Sequence, residues 1–385
     1  MMYKNLINKI FMERFKVTPE IITFSPGRVN IIGEHTDYND GYVLPGAIDK
    51  GAYFAVSLRN DEKITIISHD FNLTYYTDIN HLDSVDSQNW PNYILGSLAQ
   101  FIKKGISIKG FDALLLSEIP MGAGLSSSAA IECATIFAFN ELYHTKLEKV
   151  EMAKMAQIAE HEYAGVKCGI MDQFASMMGK KDHLLKIDCR NLEYSYIPLN
   201  LNNTKIVLFD TGIKHSLATS AYNDRRTYCE TAVTLMNNNG SNIKSLRDAS
   251  IIMLEDIREI HPNIYHPSTY VVQEIARVDQ ACEFLKNGDI LNCGNLLYQS
   301  HNGLRDLYKV SCIELDFLVD AVKTRKGVIG ARMMGGGFGG CTINLIEEQF
   351  IDDIFSSISI EYENTFKIPL KMYVTELSDG TMILN

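Results

Sequence analysis

A cluster of charged and polar side chains follows a short apolar run near the start of the chain. The run covers residues 29–32, and the polar residues around it are Arg28, Glu34, His35, Asp37 and Asp40. Carboxylates accept hydrogen bonds from hydroxyl groups strongly, and a loop after a strand can project several of them in one direction. The cluster therefore suits a polyhydroxylated ligand. For an isolated loop of this composition, a solvated acidic turn would be the commoner explanation.

A second segment, IPMGAGLSSSAAIECATIFAFNELY at residues 119–143, has the pattern of a phosphate-binding loop. Gly122 and Gly124 permit close backbone approach, and residues 126–128 can cap the helix that follows. The free N–H groups and dipole of a helix N-terminus favour a polyanion such as a nucleotide phosphate. An ordinary glycine-serine turn is the alternative. The segment is not a Walker A loop, because the chain has no G-x-x-x-x-G-K-[ST].

A third segment, GARMMGGGFGGCTINL at residues 330–345, contains G-x-G-x-x-G at Gly335, Gly337 and Gly340. A dinucleotide fingerprint must follow a strand and open a helix, whereas residues 341–345 alternate in the manner of a strand. The pattern therefore predicts a glycine-rich link between two strands. Such a surface, free of side chains, could lie against a ligand or simply be a close-packed turn.

The elements that must position these motifs follow an α+β order. The patterns predict strands at residues 53–58, 64–68, 184–188, 206–209, 341–345 and 370–374, and helices at 93–103, 129–142, 149–163, 224–236 and 270–286. A boundary near residues 190–204 is indicated by the polar stretch NLNNTK. We therefore predict two domains, residues 1–195 and 196–385.

Composition restricts the classes of partner. The 385 residues, 46% of them hydrophobic, can form a substantial core, and the formal charge of −11 argues against a nucleic-acid or anionic-membrane surface. Phosphate binding must then come from backbone amides and a metal. The N-terminus has the pattern of a surface amphipathic helix, and no apolar run approaches transmembrane length. Eight dispersed cysteines without C-x-x-C predict a reducing cytoplasm.

Taken together, the three segments resemble the three motifs of the GHMP kinases, and GRVNIIGEHTDYNDG resembles the signature of the galactokinase family. The similarity extends to NWPNY at residues 89–93, CGIMDQFASMMG at 168–179 and DTGIKHSLATSAY at 210–222. The resemblance implies an N-terminal domain like domain 2 of ribosomal protein S5 and a ferredoxin-like C-terminal domain, with the site between them.

The resemblance also implies roles for individual residues. Asp172 matches the family's catalytic base for the sugar C1 hydroxyl, and Arg28 matches the arginine beside it. The implied galactose contacts are Glu34, His35, Asp37, Gly169, Asp172 and Tyr222. The implied ATP contacts are Gly122, Ala123, Gly124, Leu125, Ser126, Ser127, Ser128, Ala129 and Trp90.

For magnesium, the resemblance points to Ser128 and Glu160. Glu160 lies on the flank of an apolar helical stripe, so its carboxylate would point partly inward and need a partner. Each of these residues also has an ordinary alternative. Asp172 could cap a helix, Arg28 could form a structural ion pair, and Glu160 could pair with a lysine. Tyr222 and Trp90 could belong to the core.

The implied activity is ATP-dependent, magnesium-requiring phosphorylation of galactose at C1, the first committed step of galactose utilisation in the Leloir pathway. The implied protein is a monomer or weak oligomer. Two alternatives are an N-acetylgalactosamine kinase and a non-catalytic sugar sensor. Residues 36–40 favour galactose over N-acetylgalactosamine as the substrate. The complete SSSAA at 126–130, together with Asp172, argues against the sensor.

Overall fold

A computed structural model describes residues 2–85, 90–120, 122–214 and 218–384. We call the part of the second segment before its helix, residues 119–126, the glycine-serine loop. The residues outside these ranges include Asn89 of the NWPNY segment, Met121 of the glycine-serine loop and residues 215–217 of the 210–222 segment. The strands are β1 (Ile21–Asn30), β2 (Tyr42–Val43), β3 (Pro45–Leu58), β4 (Lys63–Ser68), β5 (Leu73–Asp78), β6 (Phe111–Ser117), β7 (His183–Asp188), β8 (Tyr194–Pro198), β9 (Thr204–Lys214), β10 (Val328–Met333), β11 (Gly339–Glu347), β12 (Lys371–Thr375) and β13 (Met382–Ile383).

The α-helices are α1 (Met2–Phe15), α2 (Pro91–Lys103), α3 (Ser127–Leu142), α4 (Lys149–Ala159), α5 (Met171–Met178), α6 (Ala218–Asn238), α7 (Ile251–Glu255), α8 (Pro262–Lys286), α9 (Ile290–Gly303), α10 (Ile313–Lys323) and α11 (Ile351–Phe366). Short 3-10 turns cover Asp37–Asn39, Leu246–Asp248 and Glu348–Phe350, and π-helical turns cover Glu160–Ala164 and Leu304–Tyr308. The predicted α+β class is confirmed, although β3, α6 and α8 begin earlier than their patterns indicate.

The first sheet has the strand order β13-β1-β3-β6-β4-β5, with β4 and β6 parallel and the other neighbours antiparallel. Because side chains alternate across a strand, β6 serves two cores. Leu114 and Leu116 pack on the side of α1, whereas Ala113 and Leu115 join the large core that includes α2 and α3. Burial on both faces explains why β1, which leads into the polar cluster, is almost entirely buried.

The second sheet has the antiparallel order β10-β11-β9-β12. Val207 and Phe209 of β9 pack against α10 and α11, whereas Ile206 and Leu208 face the large core. The sheet therefore forms one wall of the core that supports the N-terminal helices. Among the described helices, none combines the length and the apolar character that crossing a bilayer requires.

The glycine-rich third segment is a link between two antiparallel strands. β10 ends at Met333 and β11 begins at Gly339, and Gly335 and Gly337 have φ values of 83° and 85°, a conformation that side chains disfavour. Because no helix follows this link directly, the rejection of a dinucleotide fingerprint agrees with the structure.

The division at residue 195 stays a prediction. β8 runs across that residue and pairs with β7, and β13 returns from the end of the described chain to pair with β1. The tail before β13 also packs on α5, since the amide of Gly380 donates to the carbonyl of Gly179 and that of Thr381 to Ser176.

Candidate active site

Two cavities meet where β1, the glycine-serine loop and the glycine-rich link converge. We call the first, of about 270 Å³, the carboxylate cavity; its lining includes Arg28, Glu34, His35, Asp37, Glu160, Cys168, Gly169, Asp172, Tyr222 and residues 335–338. We call the second, of about 320 Å³, the loop cavity; its lining includes Arg28, Pro120, Gly122, residues 124–128, Asp172, Gly335 and Gly336. Arg28, Asp172, Gly335 and Gly336 line both cavities.

Arg28 and Asp172 form a bidentate ion pair at the junction of the two cavities. Nε and Nη2 of Arg28 each lie 2.9 Å from one oxygen of the Asp172 carboxylate. Nη1 of the same guanidinium donates to the carbonyl of Gly124 at 2.6 Å. The arginine projects from a bulge in β1, and the aspartate lies in the first turn of α5. This geometry fixes the carboxylate against the loop, since the fork of a guanidinium matches a carboxylate.

Ser126 acts differently from the predicted helix cap. It is the residue that precedes α3, in a left-handed conformation with φ of 59°, and its side chain makes no capping hydrogen bond. The hydroxyl instead donates to the carboxylate of Asp172. The first backbone N–H groups of α3 have no partner within the helix, so the start of α3 presents donors beside the loop cavity. Ala123 and Ala129, which we also predicted to contact ATP, are fully buried and do not line either cavity.

Glu34 is held by the opposite half of the sequence. Its Oε1 accepts hydrogen bonds from Nη2 of Arg332 at 3.0 Å and from the amide of Gly335 at 2.8 Å. Arg332 is fully buried and also donates to the carbonyls of Asn30, Ile31 and Met333. This arginine therefore fixes the end of β1 and aims Glu34 into the carboxylate cavity. Sequence reasoning missed this role; an arginine inside an apolar strand was the available signal.

Two residues of α8 hold the backbone of the same loop. Glu274 accepts a hydrogen bond from the amide of Gly33 at 3.0 Å, and the hydroxyl of Tyr270 donates to the carbonyl of Glu34 at 3.1 Å. Glu274 is itself paired with Arg277 at 2.6 Å. The loop is thus positioned by contacts that are remote in sequence and that no local pattern could have indicated.

His35 contributes a neutral imidazole to the carboxylate cavity. Its Nδ1 lies 2.7 Å from the hydroxyl of Tyr38, and its ring centre lies 5.4 Å from that of Tyr222. Burial opposes protonation, and Arg225 and Arg332 add repulsion, so the pKa of His35 is lowered to about 3. Its Nε2 has no hydrogen-bond partner among the described residues. A neutral ring with one free buried nitrogen can exchange a hydrogen bond with a ligand hydroxyl.

Asp37 and Gly169 face each other across the same cavity. A Cβ added at residue 169 would lie 1.8 Å from Oδ2 of Asp37, so only glycine fits there. Burial, the charge of Asp172 and, less strongly, that of Glu34 raise the pKa of Asp37 to about 7. The carboxylate is therefore poised between its two protonation states near neutral pH.

Glu160 lies where α4 passes into a π-helical turn, and it is 8% exposed. Its Oε2 accepts hydrogen bonds from Gln173 Nε2 at 2.5 Å and from Cys168 Sγ at 3.3 Å. Burial, reinforced by Asp172, raises the pKa of Glu160, whereas a hydrogen bond from the Ser128 side chain lowers it. The described partners of this carboxylate include no lysine.

Ser128 and Glu160 fit a magnesium ion by their chemistry. Mg²⁺ prefers oxygen ligands and usually takes only one or two from the protein. The half-buried carboxylate of Asp172 repels the buried carboxylate of Glu160, and a nearby cation would relieve this repulsion. The hydroxyl and the carboxylate are therefore suitable donors at the boundary between the two cavities.

Trp90, like Ala123 and Ala129, is a predicted site residue that lines neither cavity. It directly precedes α2 and packs, partly buried, against the large core. Its predicted contact with adenine stays a prediction, and the structure shows the packing role that the sequence left open.

Family models and solved structures define the class of the protein. The model for the N-terminal domain of GHMP kinases matches residues 92–180, and the model for their C-terminal domain matches residues 281–364. The solved mevalonate kinase of Methanococcus jannaschii shares the fold, with 21% identity, a TM-score of 0.66 and coverage of 93% of this chain and 98% of that one. The fold and the paired motifs are those of the GHMP kinases.

More specific similarities concern the polar cluster and the whole chain. A model described as the galactokinase galactose-binding signature matches residues 9–58. The galactokinase of Fusobacterium nucleatum is 42% identical over 98% of this chain and 99% of its own length, and that of Clostridium acetobutylicum is 40% identical over 99% of both. The galactokinase of Lactococcus lactis, solved in complex with galactose, has a TM-score of 0.94 and 32% identity over 100% of both chains. The chain belongs to the galactokinase family, and the predicted resemblance is confirmed.

Proposed function

We propose that this protein transfers the terminal phosphoryl group of ATP to the C1 hydroxyl of galactose, giving galactose 1-phosphate and ADP. The observation that carries the proposal is the position of the Arg28–Asp172 pair, which lines both cavities. A sugar in the carboxylate cavity and a triphosphate in the loop cavity would meet at this pair. Similarity to galactokinases over nearly the full chain gives the sugar its identity.

The carboxylate cavity supplies the hydrogen-bonding groups that a hexose needs. Glu34 and Asp37 accept hydrogen bonds from hydroxyl groups, and the neutral His35 offers a ring nitrogen. Gly169 leaves room for Asp37, and Tyr222 borders the same space. Because Arg332 and Gly335 already fix Glu34, little ordering is left for the moment of binding, which favours affinity.

At the junction, Asp172 orients the attacking hydroxyl and takes its proton. Arg28 and Ser126 hold the carboxylate in one position, so an accepted hydrogen bond aligns the C1 oxygen with the loop cavity. A carboxylate is a weak base for an alcohol, so the proton leaves late, when the bond from oxygen to phosphorus is already forming. Arg28 offsets charge that develops on the transferred group.

The loop cavity binds the phosphates through backbone amides at the start of α3 and through serine hydroxyls. Ser128 and Glu160 would hold Mg²⁺, which neutralises phosphate charge when bound. The adenine contact of Trp90 remains part of this proposal. The proposal also includes a cytoplasmic location, with which the eight free cysteines are consistent, and a monomeric or weakly associated state.

A coupled ADP-release assay with galactose, N-acetylgalactosamine and glucose tests the proposal. We expect magnesium-dependent turnover with galactose and little with the other two sugars. Turnover restricted to the acetamido sugar would overturn the substrate assignment. Galactose binding in calorimetry without ADP release would instead identify a sugar sensor.

A further inference from the structure

Gln173, the neighbour of Asp172 on α5, bridges two buried carboxylates. The side chain is fully buried, and its Nε2 lies 2.5 Å from Oε2 of Glu160 and 3.2 Å from Oε2 of Glu132. A primary amide has two N–H donors, so one amide group serves both carboxylates. Neither the sugar nor the phosphate assignment makes use of this contact.

Glu160 needs an external constraint on its direction. It begins a π-helical turn, where the backbone departs from the regular helix of α4. Its other donors are the thiol of Cys168, at 3.3 Å, and the hydroxyl of Ser128. A thiol is a weak donor, and the hydroxyl is the group that would share a metal with Glu160. The amide of Gln173 is therefore the strong contact left to fix the carboxylate once a metal is bound.

Glu132 completes the support from α3. Ser128 and Glu132 are four residues apart on this helix and therefore lie on the same face. Glu132 is fully buried, and its Oε1 has no partner among the described residues, so its described hydrogen bond is the one to Gln173. One face of α3 thus reaches Glu160 twice, through Ser128 directly and through Glu132 and Gln173.

We propose that Gln173 is a positioning residue that holds the carboxylate of Glu160 toward the metal site, and that Glu132 anchors Gln173 in this role. The inference rests on the proposed function, specifically on Glu160 as a ligand of Mg²⁺. Partners behind a metal ligand orient it, and their loss typically weakens metal affinity by about 10- to 100-fold. The carboxylate cavity includes Glu160, but the described hydrogen bonds of Glu34, His35 and Asp37 do not involve Glu160, Glu132 or Gln173, so galactose affinity should change little.

The chain offers a matched control for the loss of such an amide. Gln100 is also a buried glutamine, and its Nε2 donates to Glu162 of the same π-helical turn at 2.9 Å. Glu162 points to solvent and pairs with Lys103, away from both cavities. Gln100→Leu therefore removes an equivalent hydrogen bond from the same turn without touching the proposed metal ligand.

The test measures Mn²⁺ binding to the ADP complex by electron paramagnetic resonance, with galactose affinity measured by calorimetry. We expect Gln173→Leu to weaken Mn²⁺ binding by about tenfold or more and to leave galactose affinity within about twofold. Gln100→Leu should change neither quantity, and Glu132→Leu should give a smaller loss of Mn²⁺ affinity than Gln173→Leu. Equal Mn²⁺ affinities in Gln173→Leu, Gln100→Leu and the unmodified protein would overturn the inference.

A second variant tests the inference if Gln173→Leu does not fold. Gln173→Asn keeps the amide but shortens the side chain by one methylene, so it cannot reach both carboxylates. It should weaken Mn²⁺ binding measurably, and unchanged binding would again overturn the inference. Absence of galactose turnover in the unmodified protein would instead refute the proposed function, so the two failures are distinguishable.

Discussion

The carboxylate cavity and the loop cavity share a wall, yet they present different chemistry. The first is lined by charged and aromatic side chains, including Glu34, His35, Asp37 and Tyr222. The second is lined mainly by glycines and serines at the start of α3, and Arg28 is the only cationic residue among its described lining. Under the proposed function, side-chain acceptors would meet the sugar hydroxyls and backbone donors would meet the phosphates, which matches the polarity of each ligand.

The difference extends to how each cavity is held in place. Side-chain acceptors need support and room, and Arg332 supports Glu34 while the lack of a side chain at Gly169 leaves room for Asp37. Backbone donors are positioned by the helix itself. Substitution of the side-chain acceptors in the carboxylate cavity should therefore strongly weaken the binding of one ligand, the sugar. Substitution of side chains in the loop cavity should have milder effects, mainly on metal binding.

Asp172 belongs to both cavities, and its substitution should give the largest effect. Asp172→Asn retains the shape but loses the proton acceptor, so kcat should fall on the order of 10²- to 10⁴-fold. Galactose affinity, measured by calorimetry, should change far less, because Glu34, His35 and Asp37 remain. Turnover close to that of the unmodified protein would remove Asp172 from its assigned role.

Asp37→Ala should act on the sugar alone. Loss of hydrogen bonds to a carboxylate costs about 1.5–3 kcal/mol, so galactose affinity should fall roughly 10- to 100-fold while the KM for ATP stays nearly constant. Asp40→Ala is the matched control, since Asp40 lies in the same loop but pairs with Arg190 at 3.6 Å outside the carboxylate cavity. Equal losses of affinity for galactose and ATP in Asp37→Ala would contradict the proposed division between the cavities.

Ser128→Ala should act on the metal. Removal of the hydroxyl should raise the Mg²⁺ concentration for half-maximal activity by roughly tenfold, with galactose affinity unchanged. Ser127→Ala, at the neighbouring position of the same cavity, should have little effect on the magnesium titration. Superimposable titrations for Ser128→Ala and the unmodified protein would exclude Ser128 as a ligand.

The pH dependence of galactose binding should show the smallest effect. The pKa of Asp37 is raised to about 7, chiefly by burial, so its ionised fraction falls as the pH drops through neutrality. If the ionised form binds the sugar, affinity should fall roughly threefold from pH 7.5 to pH 6.5 and level off at higher pH. Asp37→Asn should remove this dependence, and a profile identical in both proteins would assign the titration elsewhere.

Local chemistry was predictable from the sequence, because each motif lies within a continuous segment. The strand-loop cluster, the start of α3 and the glycine-rich link have the local structure that their patterns indicate, although Ser126 does not form the predicted helix cap. The contact between Arg28 and Asp172 spans 144 residues, and only the resemblance to a known family indicated it. Periodicity reports which face of an element is buried but not which distant element covers it.

The contacts that support the site residues could not be predicted from the sequence for the same reason. Arg332 meets Glu34 across 298 residues, and Glu274 meets Gly33 across 241. The end of α4 shows a subtler limit, since residues 149–163 were predicted as one helix, yet Glu160 begins a π-helical turn. A change of helix type shifts side-chain directions without altering the apolar pattern, so the partners of Glu160 could not be foreseen.

The pairing of β13 with β1 has a consequence for biosynthesis. Thr23 and Phe24 pair with Ile383 and Met382, so the sheet that carries Arg28 gains its outer strand from the far end of the described chain. Domains commonly fold one after another as the ribosome releases them. Here the first sheet gains its edge strand β13 only after all four strands of the second sheet have been synthesised, so the scaffold of Arg28 is completed late in the order of the chain.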